Sequence, residues 1–326
     1  MAVRPRLFAK RQSDAHRTGR WFALNSLVEE MDSKLQFRAS RNIAADSALG
    51  SHDLVMQSII HASPILTRLS LTVAVAMLLM MPTSHAAADT LVVDLPLEDG
   101  GSQRVLYASP ANPPRAALVM LPGGNGIAEI GNDGSIRRMV GNFLLRTLPL
   151  WQAQGFAVAV LSPPNGMSLL GHRHTPAYAA TIGQAVDFVR SRANVPVWLV
   201  GTSQGSTAAV GAGARLGGKV AGIVVTSSVT GRSSSGETLF DSEPGLVAVP
   251  ALIVANTGDA CPGSPPGDAP KIAAALAHAP RKEVVYMQSV AIEGPPCEAM
   301  SPHGYLGIEA ATVERITQWI GAITGR

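Results

Sequence analysis

The sequence predicts an α/β domain: a mostly parallel central sheet covered by helices on both faces. Three observations carry this. Short apolar runs alternate with longer stretches of helical periodicity from about residue 90 to the C-terminus. Those runs are apolar at successive positions rather than alternate ones, as in parallel strands buried on both sides. Finally, 46% of the 326 residues are hydrophobic and only 15% are charged, against about 25% charged in average soluble chains, so there is much to bury.

The N-terminal quarter stands apart. Residues 1–55 are polar, mixed in charge and without sustained periodicity, and read as a disordered extension or a start site assigned too far upstream. Their six acidic residues argue against a transit peptide. Residues 56–88 read as a secretory signal peptide. Arg68 precedes the eleven-residue apolar run Leu71–Met81, and a small-residue exit allows cleavage after Ala86 or Ala88. Such a run is too short for a bilayer, which takes about 20 residues. The expected product is periplasmic or secreted, with one domain over 89–326.

Charge follows the same division. Residues 1–86 hold 10 Lys/Arg and 6 Asp/Glu, and the rest hold 16 and 17. The net +3 therefore belongs to the leader. Beyond it the longest basic runs are pairs, Arg137-Arg138 and Arg281-Lys282, so the basic face that a nucleic-acid partner requires is missing.

Within the domain, Leu91–Leu95 and Arg104–Tyr107 flank Asp99-Gly100-Gly101 and read as an antiparallel edge hairpin. Further strands are predicted at Ala116–Leu121, Phe156–Leu161, Val195–Val200, Val220–Val225, Ala251–Ala255 and Glu283–Met287. Helices are predicted between most of them, at Ile136–Gln154, Ala177–Ala193, Gln204–Leu216, Pro270–His278 and Gly307–Ile323. The last places Ile308, Ala311, Val313, Ile316, Trp319 and Ile320 on one face. Two longer loops, Ser162–Pro176 and Ser227–Pro250 (the latter with Ser233-Ser234-Ser235), follow predicted strands. That edge is where open α/β sheets bind ligands, so both loops are expected to shape a pocket.

The chemistry centres on Gly201-Thr202-Ser203-Gln204-Gly205. As a bare string G-x-S-x-G means little in a chain this rich in Gly and Ser. Its context is specific: a strand leads straight in and a helical stretch leads straight out. A serine on such a turn adopts a strained conformation that only small neighbours allow, and the helix N-terminus aims backbone N–H groups at developing negative charge.

On these residues the chain resembles the α/β-hydrolase family over roughly residues 90–326. The resemblance implies the α/β-hydrolase fold and a triad in the order Ser, acid, His. Ser203 would be the nucleophile. Asp259, in the turn after Ala251–Ala255, would be the acid, with Asp268 and Asp241 as alternatives. His303, just before the last helix, would be the base. The oxyanion donors would be the N–H of Gln204 and one from Gly124 or Asn125. The loop here reads Pro122-Gly123-Gly124 where the family often has His-Gly-Gly.

The remaining candidates are weaker. In an exported protein Cys261 and Cys297 are expected to form a disulfide. It would tie the acid loop to the base loop. Without CxxC spacing the cysteines make a poor zinc site, and His172 and His174 have no third ligand nearby. They read as loop-surface or substrate-site residues, and no metal or cofactor is expected. His278 reads as structural, within an Ala-rich helix, and Arg173 as a solvated side chain or a contact for an acidic group. Gly213–Lys219 mimics a phosphate-binding loop, but Val220 stands where Ser/Thr is required and no strand precedes it. A dinucleotide-like start at Gly211-Ala212-Gly213 fails too, with Leu216 in place of the third glycine. The expected activity is hydrolysis of a carboxylic ester, in a small molecule or a polymer. An amidase or peptidase with the same triad, or a non-catalytic binding protein of the same fold, are the alternatives. Oligomeric state is not legible.

Overall fold

Every predicted apolar run forms a strand. The computed structural model describes residues 90–231 and 235–325. The expected extension at 1–55, the signal sequence at 56–88, and Ser233 and Ser234 lie outside the described residues. The strands are β1 (Thr90–Pro96), β2 (Ser102–Ala108), β3 (Ala116–Leu121), β4 (Phe156–Leu161), β5 (Val197–Thr202), β6 (Gly222–Thr226), β7 (Ala251–Asn256) and β8 (Lys282–Met287). They join in one sheet of order β1-β2-β4-β3-β5-β6-β7-β8. The edge pair β1–β2 is an antiparallel hairpin, β2 also runs antiparallel to β4, and all later pairs are parallel.

The helices are α1 (Phe143–Arg146), α2 (Leu148–Ala153), α3 (Pro176–Arg192), α4 (Gly205–Leu216), α5 (Ala269–Ala275) and α6 (Glu309–Thr324). Alternation within the strands assigns them to two faces. Ala117, Val119 and Leu121 of β3 join a core with α3, α4 and α5, and Ala116, Leu118 and Met120 join another with α1, α2 and α6. This is the period of two at work in a sheet buried on both sides. Across the β5–β6 register Trp198 lies opposite Gly222. A Cβ on Gly222 would come within 2.1 Å of the indole, so only glycine leaves room for it. Trp198 in turn packs edge-on against Trp319 of α6 at 5.6 Å.

Two helices are shorter than predicted. The stretch from Ile136 was expected to be helical to Gln154, but helix begins only at Phe143. Ile136 instead bridges Ile130 across a tight turn, Met139 takes a positive φ of 56°, and the Asn142 side chain caps α1 by accepting from the Leu144 N–H. An Asn-headed start outcompetes continuation of the helix through Gly141. The second, α5, ends at Ala275, so His278 lies beyond it, exposed and bonded to the Gly245 carbonyl. The phosphate-loop look-alike is the end of α4 plus a 3-10 turn, Gly217–Lys219, that precedes β6.

Candidate active site

Because the central strands run parallel, the loops leaving β3, β5, β7 and β8 emerge at one edge, and the predicted residues ride on them. Ser203 occupies the turn between β5 and α4 with a φ of +53°. Its neighbours make that possible. A Cβ on Gly201 would lie 2.3 Å from the Gly205 carbonyl oxygen, and one on Gly205 would lie 1.9 Å from that of Leu121. The Ser203 N–H is anchored on the Thr226 carbonyl at 2.9 Å. Its own carbonyl accepts from the Ser206 hydroxyl at 2.6 Å.

Asp259 and His303 meet. His303 Nδ1 lies 2.9 Å from Asp259 Oδ2, and both residues are buried. The carboxylate is held on its other side, where Oδ1 accepts from the Cys261 N–H at 2.9 Å. The alternative acids are engaged elsewhere: Asp268 pairs with Lys271 and accepts from Thr230, and Asp241 closes a capping box with Thr238. Hydrogen bonding to Lys271 and Thr230 holds the Asp268 carboxyl below its ordinary pKa.

The sequence did not single out the polar scaffold behind this pair. The Ser264 hydroxyl donates to Asp259 Oδ2 at 3.1 Å and lies 2.9 Å from His303 Nδ1. Asn256, fully buried at the end of β7, donates from Nδ2 to the Pro302 carbonyl at 2.7 Å. Its Oδ1 accepts from the N–H groups of Gly258 and Ser289. One amide thus joins the loop of Asp259, the loop of His303 and the segment after β8. The Tyr305 hydroxyl donates to the Val254 carbonyl at 2.9 Å and accepts from the Ser227 N–H, while the Ser227 hydroxyl donates to the His303 carbonyl at 2.8 Å. Burial pushes the Tyr305 phenol well above its ordinary pKa, so it stays neutral. Buried polar atoms next to strand ends are the only sequence signal for these residues, and burial cannot be read from a single loop residue.

Ser203, Gln204, Gly123, Gly124, His303 and both cysteines line one cleft of about 790 Å³. The cysteines are bonded, with Cα atoms 4.6 Å apart. Of the two candidate oxyanion residues in the β3 loop, Gly124 faces the cleft. Asn125 Oδ1 accepts from the Ile127 N–H within its own loop, and its carbonyl accepts from the Leu169 N–H of the 162–176 loop. The expected pocket walls differ from those observed. Met139, Val140, Phe143 and Met300 supply apolar wall, and the 227–250 loop contributes Val229. The 162–176 loop does not line the cleft.

That loop sends Arg173 inward instead. The side chain is buried rather than solvated, 1% exposed. Burial pushes the guanidinium below its ordinary pKa, opposed by Tyr178 and by the Glu237 carboxylate. Glu237 accepts from the N–H groups of Gly171 and Arg173 and pairs with His174 Nδ1 at 2.9 Å. His172 is exposed on the surface. Among the described residues no cluster of three His, Cys, Asp or Glu could hold a metal ion, and no helix is long and apolar enough to cross a membrane.

No protein-family model and no curated protein matches the chain. Solved structures do. The protein DcsB, in complex with its substrate analogue, is similar at a TM-score of 0.51 and 15% identity, covering 73% of this chain and 100% of that one. A thermostable carboxyl esterase from Bacillus coagulans gives 0.49 and 12%, covering 72% and 99%. Dienelactone hydrolase from Anabaena variabilis gives 0.47 and 14%, covering 71% and 96%. At such identities the likeness is one of fold, and together with the strand order it gives this chain the α/β-hydrolase fold.

Proposed function

We propose that this chain is an exported serine hydrolase that cleaves a carboxylic ester through an acyl-enzyme. One observation carries the reading. A buried His–carboxylate pair at 2.9 Å opens onto the same cleft as a serine held at positive φ on a strand–helix turn. Nucleophile, base and orienting acid are then supplied in the order Ser203, His303, Asp259.

In this mechanism Ser203 Oγ attacks the ester carbonyl carbon while His303 Nε2 takes the hydroxyl proton. Asp259 holds Nδ1 protonated and stabilises the imidazolium. The carbonyl oxygen, now an anion, is received by the N–H groups of Gln204 and Gly124. Such preorganised donors are worth more in a water-poor cleft than in solvent. Collapse of the tetrahedral adduct expels the alkoxide, which leaves with the proton from His303. Water then attacks the acyl-enzyme by the same path, with His303 as base, and releases the acid and Ser203. The walls formed by Met139, Val140, Phe143, Val229 and Met300 suit an apolar group beside the ester. The disulfide fits an oxidising compartment, which supports export.

A fluorophosphonate probe tests the reading directly. The wild-type protein is expected to be labelled and Ser203→Ala is expected not to be. A wild-type protein that resists the probe would instead favour a binding role for the same fold. A panel of p-nitrophenyl esters, anilides and peptides then separates ester from amide cleavage. Turnover of anilides or peptides at the rate of esters would overturn the ester assignment.

A further inference from the structure

Arg173 takes no part in the chemistry above, yet it is among the largest fully buried side chains of the domain. Its Nη2 donates to the carbonyls of Pro122 and Gly123, each at 3.2 Å, and its Nη1 to Gln204 Oε1 at 3.3 Å. We propose that Arg173 is a positioning residue for the oxyanion hole: by gripping the Gly123 carbonyl it sets the direction of the Gly124 N–H. The inference rests on the serine-hydrolase reading.

The argument is geometric. The chain has no cis peptide among its described residues, so the N–H of Gly124 points opposite the carbonyl of Gly123 across one planar unit. A donor that draws that carbonyl to one side commits the N–H to the other. Gly124 lines the cleft, and its N–H donates to no group among the described residues. The same peptide runs against the nucleophile, because a Cβ on Gly123 would lie 2.8 Å from Ser203 Cβ and 3.3 Å from Oγ. Two consecutive glycines, with Gly124 at a φ of +53°, leave this peptide free to rotate unless its carbonyl is held. The Gly126 N–H gives one grip on the Gly123 carbonyl at 3.1 Å, and the guanidinium gives the second.

A planar fork is needed because two carbonyls and the Gln204 amide must be met from one point, which a lysine ammonium on a flexible stem cannot do. Arg173 is itself fixed. Its backbone N–H donates to Glu237 Oε2 at 3.1 Å, and Gly171 donates to Oε1 of the same buried carboxylate at 3.2 Å. Glu237 thereby clamps the loop that delivers the guanidinium.

A residue that merely held two loops together would change melting temperature and leave kcat per active site alone. The test therefore compares Arg173→Met and Arg173→Lys with wild type and Ser203→Ala, in the full chain. It uses a p-nitrophenyl ester, with active sites counted by burst titration. Arg173→Met is expected to lose about 100-fold in kcat with KM within threefold, the order set by misplacing one oxyanion donor by about 1 Å. Arg173→Lys is expected to fall about tenfold, since the ammonium satisfies one carbonyl and not both. Inhibition by an alkyl boronic acid, which forms the tetrahedral adduct, should weaken in step with kcat. Inhibition by the product acid should not change. A kcat and a boronate affinity within threefold of wild type in either variant would overturn the proposal. If Arg173→Met does not fold, Arg173→Lys decides by the same criteria. Wild-type turnover in Ser203→Ala would instead remove the serine-hydrolase reading itself.

Discussion

His303 Nδ1 faces two oxygens at the same distance, Oδ2 of Asp259 and Oγ of Ser264, each 2.9 Å away. The single hydroxyl proton of Ser264 goes to the carboxylate at 3.1 Å, so a lone pair is left facing the imidazole N–H. The result is a three-centre bond that aims the ring while leaving the charge on Asp259. Hydrogen bonds to a charged group are worth ~1.5–3 kcal/mol, but only part of that is felt in the transition state. Ser264→Ala is accordingly expected to lower kcat about tenfold, or ~1.4 kcal/mol, with KM unchanged. Asp259→Asn, which forces the wrong tautomer, should cost far more, about 10⁴-fold. Steady-state kinetics on both variants checks this, and a Ser264→Ala enzyme within twofold of wild type would remove the hydroxyl from the positioning of His303.

At the scale of elements, what could be read from sequence was whatever repeats along a segment. Runs such as Ala116–Leu121 and Ala251–Ala255 are apolar throughout because both faces are buried, and that signal needs no tertiary knowledge. The turn bearing Ser203 was legible because strand, Gly-x-Ser-x-Gly and helix follow one another without a break; Gly201 is demanded locally by the Gly205 carbonyl, whereas the clash that demands Gly205, with the distant Leu121 carbonyl, was not legible. The stretch 136–142 was not, since its apolar residues form a turn and a cleft wall, and periodicity cannot tell wall from core. Arg173 and Asn256 were illegible for a related reason: the partners that give them their roles, Pro122, Gly123 and Gln204 for one and Ser289 and Pro302 for the other, lie dozens of residues away. The disulfide sits between these cases. Cys261 follows Asp259 by two residues and gives its N–H to that carboxylate, while Cys297 lies in the exposed segment that leads to His303. Closing a loop of sequence separation 36 stabilises by ~3–4 kcal/mol in the chain-entropy account. More locally, it couples the loop that carries Asp259 to the segment that leads to His303. Cys297→Ala is expected to keep the circular-dichroism spectrum of the folded domain at 25 °C while losing several-fold in kcat. Unchanged turnover would show that the hydrogen bonds through Asn256 hold the two loops without the bridge.

For the whole molecule, the decisive quantity is where the charge resides. The full sequence has a net charge of +3 and a pI near 9.1, which taken alone points to acidic partners. Residues 1–86 hold 10 basic and 6 acidic side chains, against 16 and 17 in the remainder, so a chain without residues 1–86 would carry a net charge of the opposite sign. The cleft, the His303–Asp259 pair and the disulfide all lie within residues 90–325. A chain beginning at Asp89 should therefore keep the kcat and melting temperature of the full protein, yet pass through a cation exchanger at pH 8 that retains the full chain. The ionic-strength dependence of turnover on a neutral ester should be flat for both, because such a substrate carries no net charge for the protein's field to steer. Loss of kcat in the shortened chain would mean that residues 1–88 contribute to the site. Continued retention on the exchanger would mean that the basic pairs Arg137-Arg138 and Arg281-Lys282 make a working cationic surface despite the net charge.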